Sequence, residues 1–122
     1  MNWLLFLIPV ALLVALMWFK RSGQLPAKPA IEYLKNGALL IDVRSGGEFA
    51  AGHLPRAINL PHDRIESLLP ERVHEKRQPL LLYCQSGMRS AVARKKLRRI
   101  GYTQVFDLGS YARATDLVKA AL

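Results

Sequence analysis

The sequence predicts an α/β layer fold with a buried parallel sheet flanked by helices and preceded by one apolar helix. Residues 38–43 (ALLIDV) and 79–83 (PLLLY) are continuous apolar runs of strand length. Such runs belong to parallel strands covered on both faces. Strand-like and helix-like segments also alternate along the chain, the order expected of a parallel sheet with helical crossovers. Composition agrees with this. The chain has 122 residues, 51% of them apolar, and one cysteine. That length holds one domain beside an apolar leading segment. The apolar fraction excludes disorder. A lone Cys84 excludes a disulfide scaffold and a zinc finger or ribbon.

The elements follow in order. Residues 3–19 carry no charge. As a helix they span about 25 Å, the short end of the transmembrane range. Trp3 and Trp18 stand near the two ends, where indole rings favour the headgroup level, and Pro9 is tolerated in such a helix. A cleaved signal peptide would want a basic start and small residues at its end. Here only Met1 and Asn2 precede the run, and Trp18-Phe19-Lys20-Arg21 closes it. Residues 1–21 therefore read as a transmembrane anchor, touching membrane lipid through residues 3–19. Lys20, Arg21 and Lys28 follow it and no Lys or Arg precedes it. The positive-inside rule then gives a single-pass protein with its domain in the cytoplasm.

Residues 22–29 form a linker broken by Gly23, Pro26 and Pro29, and residues 30–122 form the domain. In it, 30–35 reads as a helix stopped by Asn36-Gly37. Residues 38–43 are a strand, 48–51 a helical turn, and 57–60 a short strand closed by Pro61. A short helix, 65–69, precedes Pro70. The second apolar strand, 79–83, leads to a helix at 90–100, a strand at 104–106 and a closing helix at 111–121.

The chemistry lies at Cys84. It ends a buried strand, where open α/β sheets place their sites. The loop Cys84-Gln85-Ser86-Gly87-Met88-Arg89 then opens into a helix. Backbone N–H groups at a helix start have no helical partners and can converge on an anion. Gly87 gives the loop its freedom. The same field favours thiolate over thiol. Arg89 adds a permanent charge and a planar donor fork. A nucleophile, a cradle of Gln85, Ser86, Gly87 and Met88, and a guanidinium together suit attack on an anionic substrate centred on sulfur or phosphorus.

These residues sit in a wider pattern. Leu40-Ile41-Asp42-Val43-Arg44, Glu48-Phe49, Gly52-His53-Leu54-Pro55, Ala57-Ile58-Asn59-Leu60-Pro61, Tyr83-Cys84 through Arg89-Ser90, then Gly101-Tyr102 and Val105 resemble a single rhodanese domain over residues 30–122. The resemblance implies a sulfurtransferase whose catalytic cysteine takes sulfane sulfur from a small anionic donor such as thiosulfate. The cysteine carries it as a persulfide and yields it to a thiol or cyanide-like acceptor, with no cofactor. It also implies that loop length separates two chemistries: sulfurtransferases have six residues from Cys to Arg, and related phosphatases and arsenate reductases have one more. Six stand here, which favours sulfur. A non-enzymatic, partner-binding rhodanese-fold module is the other alternative, disfavoured by an intact Cys84 and Arg89. Three positions depart from the family pattern. Arg56 replaces a common glycine, Ser110-Tyr111 a glycine pair, and Thr115 an aromatic.

Asp42 and Arg44 read as structural residues near the site, and so do Glu48 and His53. His53, His62 and His74 show no metal-ligand spacing, so no metal is expected. Gly46-Gly47 is no dinucleotide fingerprint. All 18 basic and 9 acidic residues follow residue 19, giving residues 20–122 a net charge of +9. Residues 94–99 hold five of those cations. They read as a solvated helix face, with attraction to anionic lipid next. Nucleic acid is disfavoured because no recognition motif accompanies the charge.

Overall fold

The computed structural model describes every residue except Met1 and Ser22, with Lys20 and Arg21 as backbone alone. The chain opens with helix α1 (Leu4–Arg21), which contains Pro9. Its apolar side chains are exposed on all sides, Trp18 and Phe19 by more than three quarters. The expected transmembrane anchor is corrected in one respect: among the described residues no helix is long and apolar enough to cross a membrane. The reason is length. The fully described part of α1, residues 4–19, reaches about 24 Å, against a hydrocarbon core of about 30 Å. The topology expectation rests on the side chains of Lys20 and Arg21, which lie outside the described set, as does Ser22 of the linker.

Helix α2 (Ala27–Lys35) starts inside the expected linker. Pro26 caps it at φ −56° and ψ 153°, and Pro29 falls in the first turn, where a missing N–H breaks no helical bond. Then follow β1 (Leu39–Asp42), α3 (Gly46–Ala51), β2 (Ile58–Asn59), α4 (Ile65–Arg72), β3 (Leu80–Tyr83), α5 (Met88–Arg99), β4 (Val105–Gly109) and α6 (Tyr111–Ala121). Helix α4 runs through Pro70 where the sequence predicts a stop. Ile65 and Leu69 are fully buried, and that packing outweighs the weak local preference. Between α3 and β2, Arg56 takes a left-handed φ of 67°, alone among the described non-glycine residues. The backbone there keeps the form that a glycine favours.

The four strands form one parallel sheet in the order β2-β1-β3-β4. Alternation along β3 explains its unbroken apolar run. Leu80, Leu82 and Cys84 face one core with Ile65, Leu69, Ala93 and Leu97 from α4 and α5. Leu81 and Tyr83 face the other, with Ala30, Leu34, Ala114, Leu117 and Val118 from α2 and α6. Burial on both faces leaves a parallel strand no polar side. The carboxyl ends of β1, β3 and β4 therefore meet at one edge of the sheet, where the loops have room.

Candidate active site

Cys84 follows the last residue of β3 and is fully buried. Its backbone N–H bonds to Gly109 O (3.2 Å), which ties the loop to the end of β4. From there the loop turns back on its own sulfur. Gly87 N–H donates to Cys84 Sγ at 2.9 Å, and the Ser90 hydroxyl lies 3.5 Å from the same atom. Gly87 makes this turn possible. It caps α5 with φ 95°, a conformation that costs other residues strain. Helix α5 accordingly begins at Met88, two residues before the sequence suggests.

The other loop positions are divided between neighbours. The Gln85 side chain accepts from Arg44 Nη1 (3.3 Å), and its carbonyl accepts from Tyr111 N–H (3.2 Å). Ser86 bridges to Ser110 and lines an open cleft of about 810 Å³ with Gln24, Arg113 and Asp116. Met88 is exposed and lines a second, more apolar hollow beside Leu16 and Phe19 of α1.

Arg89 turns to the side. Its guanidinium holds both oxygens of Glu48, at 2.6 and 2.9 Å. Each side chain of this pair is about one third exposed. Glu48 is itself fixed by a capping box at the start of α3. The Ser45 hydroxyl accepts from Glu48 N–H at 3.2 Å, and Ser45 N–H donates to Glu48 Oε1 at the same distance. The Arg89 fork, helped by Ser45, pulls the Glu48 carboxyl down to about 2. Sequence reading gave Glu48 no part beside Arg89. Its signal was present all the same, in the Ser45-x-x-Glu48 spacing of a capping box.

Asp42 and Arg44 form the inner wall. Arg44 Nη2 and Nε hold the Asp42 carboxylate at 2.8 to 3.1 Å, with side chains only 6% and 0% exposed. The same guanidinium donates to Gly52 O (2.6 Å) and lies 4.7 Å from the Tyr111 ring centroid. Tyr111 packs edge-on against Tyr83, and Ser110 caps α6 through Arg113 N–H. The residues replacing the glycine pair thus close the site's wall beside Gln85. Thr115 donates to Tyr111 O (2.7 Å). His53 lies against Phe49 with its Nδ1 at Phe49 O. Among the described residues, no group of three or more histidines, cysteines or acids could hold a metal ion.

A buried cysteine at the carboxyl edge of a parallel sheet, with its loop folded back on the sulfur, defines the class: an α/β protein with a cysteine loop where such sheets place their sites. Comparison with known proteins agrees with that class. The rhodanese-like domain family matches residues 27–113, and the chain belongs to that family. It is 39% identical over 72 residues to a sulfurtransferase of Allochromatium vinosum, covering 57% of this chain and 64% of that protein. It is 32% identical over 69 residues to the thiosulfate sulfurtransferase PspE of Escherichia coli, covering 57% and 66%. The chain thus spans just under two thirds of the length of these relatives. A human single-domain sulfurtransferase, TSTD1, superposes with a TM-score of 0.66 at 28% identity, covering 77% of this chain and 96% of that one.

Proposed function

We propose that this protein is a sulfurtransferase that carries sulfur on Cys84. The observation that supports this reading most directly is the seat of the sulfur, with Gly87 N–H at 2.9 Å and the Ser90 hydroxyl at 3.5 Å. These donors suit a negative charge on sulfur and cost no reorganisation when it forms. The Cys84 thiolate attacks the sulfane sulfur of a small anionic donor such as thiosulfate. A new S–S bond forms, the donor's own S–S bond breaks, and sulfite leaves with its electron pair. A thiol or cyanide-like acceptor then attacks the outer sulfur of the persulfide, and the electrons return to Cys84 Sγ. Arg89 supplies positive charge at the rim, and a donor anion reaches it by displacing Glu48. The six-residue loop favours sulfur over phosphate. The test is thiocyanate formation from thiosulfate and cyanide by the full chain. Cys84→Ser should abolish it. An active Cys84→Ser protein would sink the mechanism, and an inactive wild type would favour a partner-binding module.

The finer reading concerns location. We propose that α1 attaches the domain to a lipid surface, on the face where basic residues gather. Its support is an apolar helix exposed all round that ends in Lys20 and Arg21, with Lys28 following in sequence. Attachment by apolar burial resists high salt, whereas attachment by charge alone is screened. The full chain should stay with membranes in high salt. Its release there would refute attachment through α1. An impermeant thiol reagent should reach Cys84 only after cell lysis, and labelling in intact cells would reverse the topology.

A further inference from the structure

The segment that joins α1 to α2 is built into the end of the sheet. The strand order β2-β1-β3-β4 makes β4 an edge strand, and an edge offers unpaired backbone groups to a neighbouring chain. Gln24 and Leu25 take up that offer. Gln24 forms a parallel bridge with Asp107, and Leu25 N–H donates to Asp107 O at 2.9 Å. Arg113 of α6 fastens the two together, donating to Leu25 O and, at 2.7 Å, to Leu108 O. The segment is therefore stitched to β4 just before Gly109, whose carbonyl accepts Cys84 N–H at 3.2 Å.

The Gln24 side chain lies on that glycine. Gly109 takes a left-handed φ of 89°. A methyl group there would stand 2.5 Å from Gln24 Nε2 and 2.8 Å from its Cδ. Gly87, at φ 95°, comes next. A methyl group on Gly87 would stand 3.5 Å from both Gln24 Nε2 and Gly109 Cα. The carboxamide and the two glycines thus form one close-packed stack. Each glycine serves the nucleophile: Gly109 O holds Cys84 N–H, and Gly87 N–H donates to Cys84 Sγ at 2.9 Å. Left-handed glycines are the least restrained points of a backbone, because without Cβ they adopt either sign of φ. Gln24 is half-buried, and its carboxamide makes no hydrogen bond among the described residues. Its hold on the glycines is by contact.

We propose that Gln24 is a positioning residue of the active site: its carboxamide clamps Gly109 and Gly87 and keeps the Gly87 N–H aimed at Cys84 Sγ. The reaction this clamp serves is the sulfur transfer proposed above, and the inference rests on that reading. A preorganised donor helps only while it stays where charge develops. A misplacement of about 1 Å in a positioned group costs up to about a hundredfold in rate. The clamp touches the cysteine loop and not Arg89, which turns away to Glu48. Its loss should therefore fall on kcat and leave KM for the anionic donor in place.

The test uses the full chain and two readouts. Deuterium exchange of the Cys84 and Gly87 N–H groups, followed by NMR, reads the sulfur's seat without any sulfur donor. Gln24→Ala should speed both exchanges about tenfold and leave the N–H groups of β1 unchanged, as a local opening does. Its kcat for thiocyanate formation should fall about tenfold with KM for thiosulfate unchanged. Gln24→Met keeps the length of the side chain without the amide and should restore both readouts. Gly109→Ala should impair the wild type more than it impairs Gln24→Ala, since its methyl group displaces the carboxamide only where there is one; groups in contact depart from additivity in this way. Unmoved exchange in Gln24→Ala would overturn the proposal, and so would faster exchange in β1 as well, which marks a loss of stability throughout. A Gln24→Met protein as impaired as Gln24→Ala would overturn it by making the amide a substrate ligand. A wild type that forms no thiocyanate, with exchange moved as expected in the variants, would uphold the clamp and refute the sulfurtransferase.

Discussion

Two arginine–carboxylate pairs stand within the same site, and they do different work. Asp42–Arg44 is buried, with every nitrogen of the guanidinium engaged by Asp42, Gly52 or Gln85. Glu48–Arg89 is one third exposed and joins the first turns of α3 and α5 across 41 residues. A buried pair resists loss because removing one partner strands the other's charge in low dielectric. An exposed pair can part at little cost, since water replaces the partner. The first can therefore brace a wall, and the second can yield its arginine to an anion.

The largest expected effect tests the buried pair. Arg44→Met should lower stability by about 3–5 kcal/mol, as expected when a buried pair loses one partner, read by urea or thermal unfolding. A loss below about 1 kcal/mol, the usual worth of a surface pair, would erase the contrast. Next comes Arg89→Ala. A hydrogen bond to a charged group is worth about 1.5–3 kcal/mol, less up to about 1 kcal/mol for the Glu48 pair that must first part. The net predicts about a tenfold fall in kcat/KM for thiosulfate, at about 1.4 kcal/mol per decade. Stability should hardly move, and release of sulfur from the preformed persulfide to cyanide should change less. If sulfur release slows as much as loading, Arg89 shapes the loop and does not hold the donor.

Ser45→Ala sharpens the comparison further. Loss of this cap should cost about 1 kcal/mol of stability and loosen Glu48. KM for thiosulfate should then fall as Arg89 becomes easier to reach. A KM that rises would mean that Glu48 orients Arg89 for the donor. The smallest effect is acid sensitivity. Glu48 is held at about 2 in the folded protein against an ordinary value of 4.5. A depressed carboxylate stabilises the fold above its unfolded value and loses that stabilisation as pH falls from 4.5 through about 2. Glu48→Gln should remove this component of the acid loss, which is small because the group is exposed and screened. Equal slopes of stability against pH in this range would show that the pair carries no linkage.

What could be read early and what could not divides along physical lines. Residues 38–43 and 79–83 read as parallel strands because burial on both faces writes itself as an unbroken apolar run. The position of Cys84 followed from strand, loop and helix in sequence, and Gly87 from the need for a left-handed turn. Those are local effects, carried by neighbours a few residues apart. The start of α2 at Ala27 and the passage of α4 through Pro70 were missed, since packing against the core overrode the local breakers. The apolar stretch 3–19 read correctly as helix, while its reach across a bilayer turned on a few ångströms of length.

The sequence by itself determined the class of fold, the place of Cys84 at the end of a buried strand and the size of its loop. Local geometry and two-sided burial leave those few alternatives. Only the tertiary structure decided where the charges and hydroxyls go. Arg89 meets Glu48, and Arg44 meets Gln85, each across 41 residues. Long side chains reach as far in one direction as another, so their partners are set by how strands and helices pack in space.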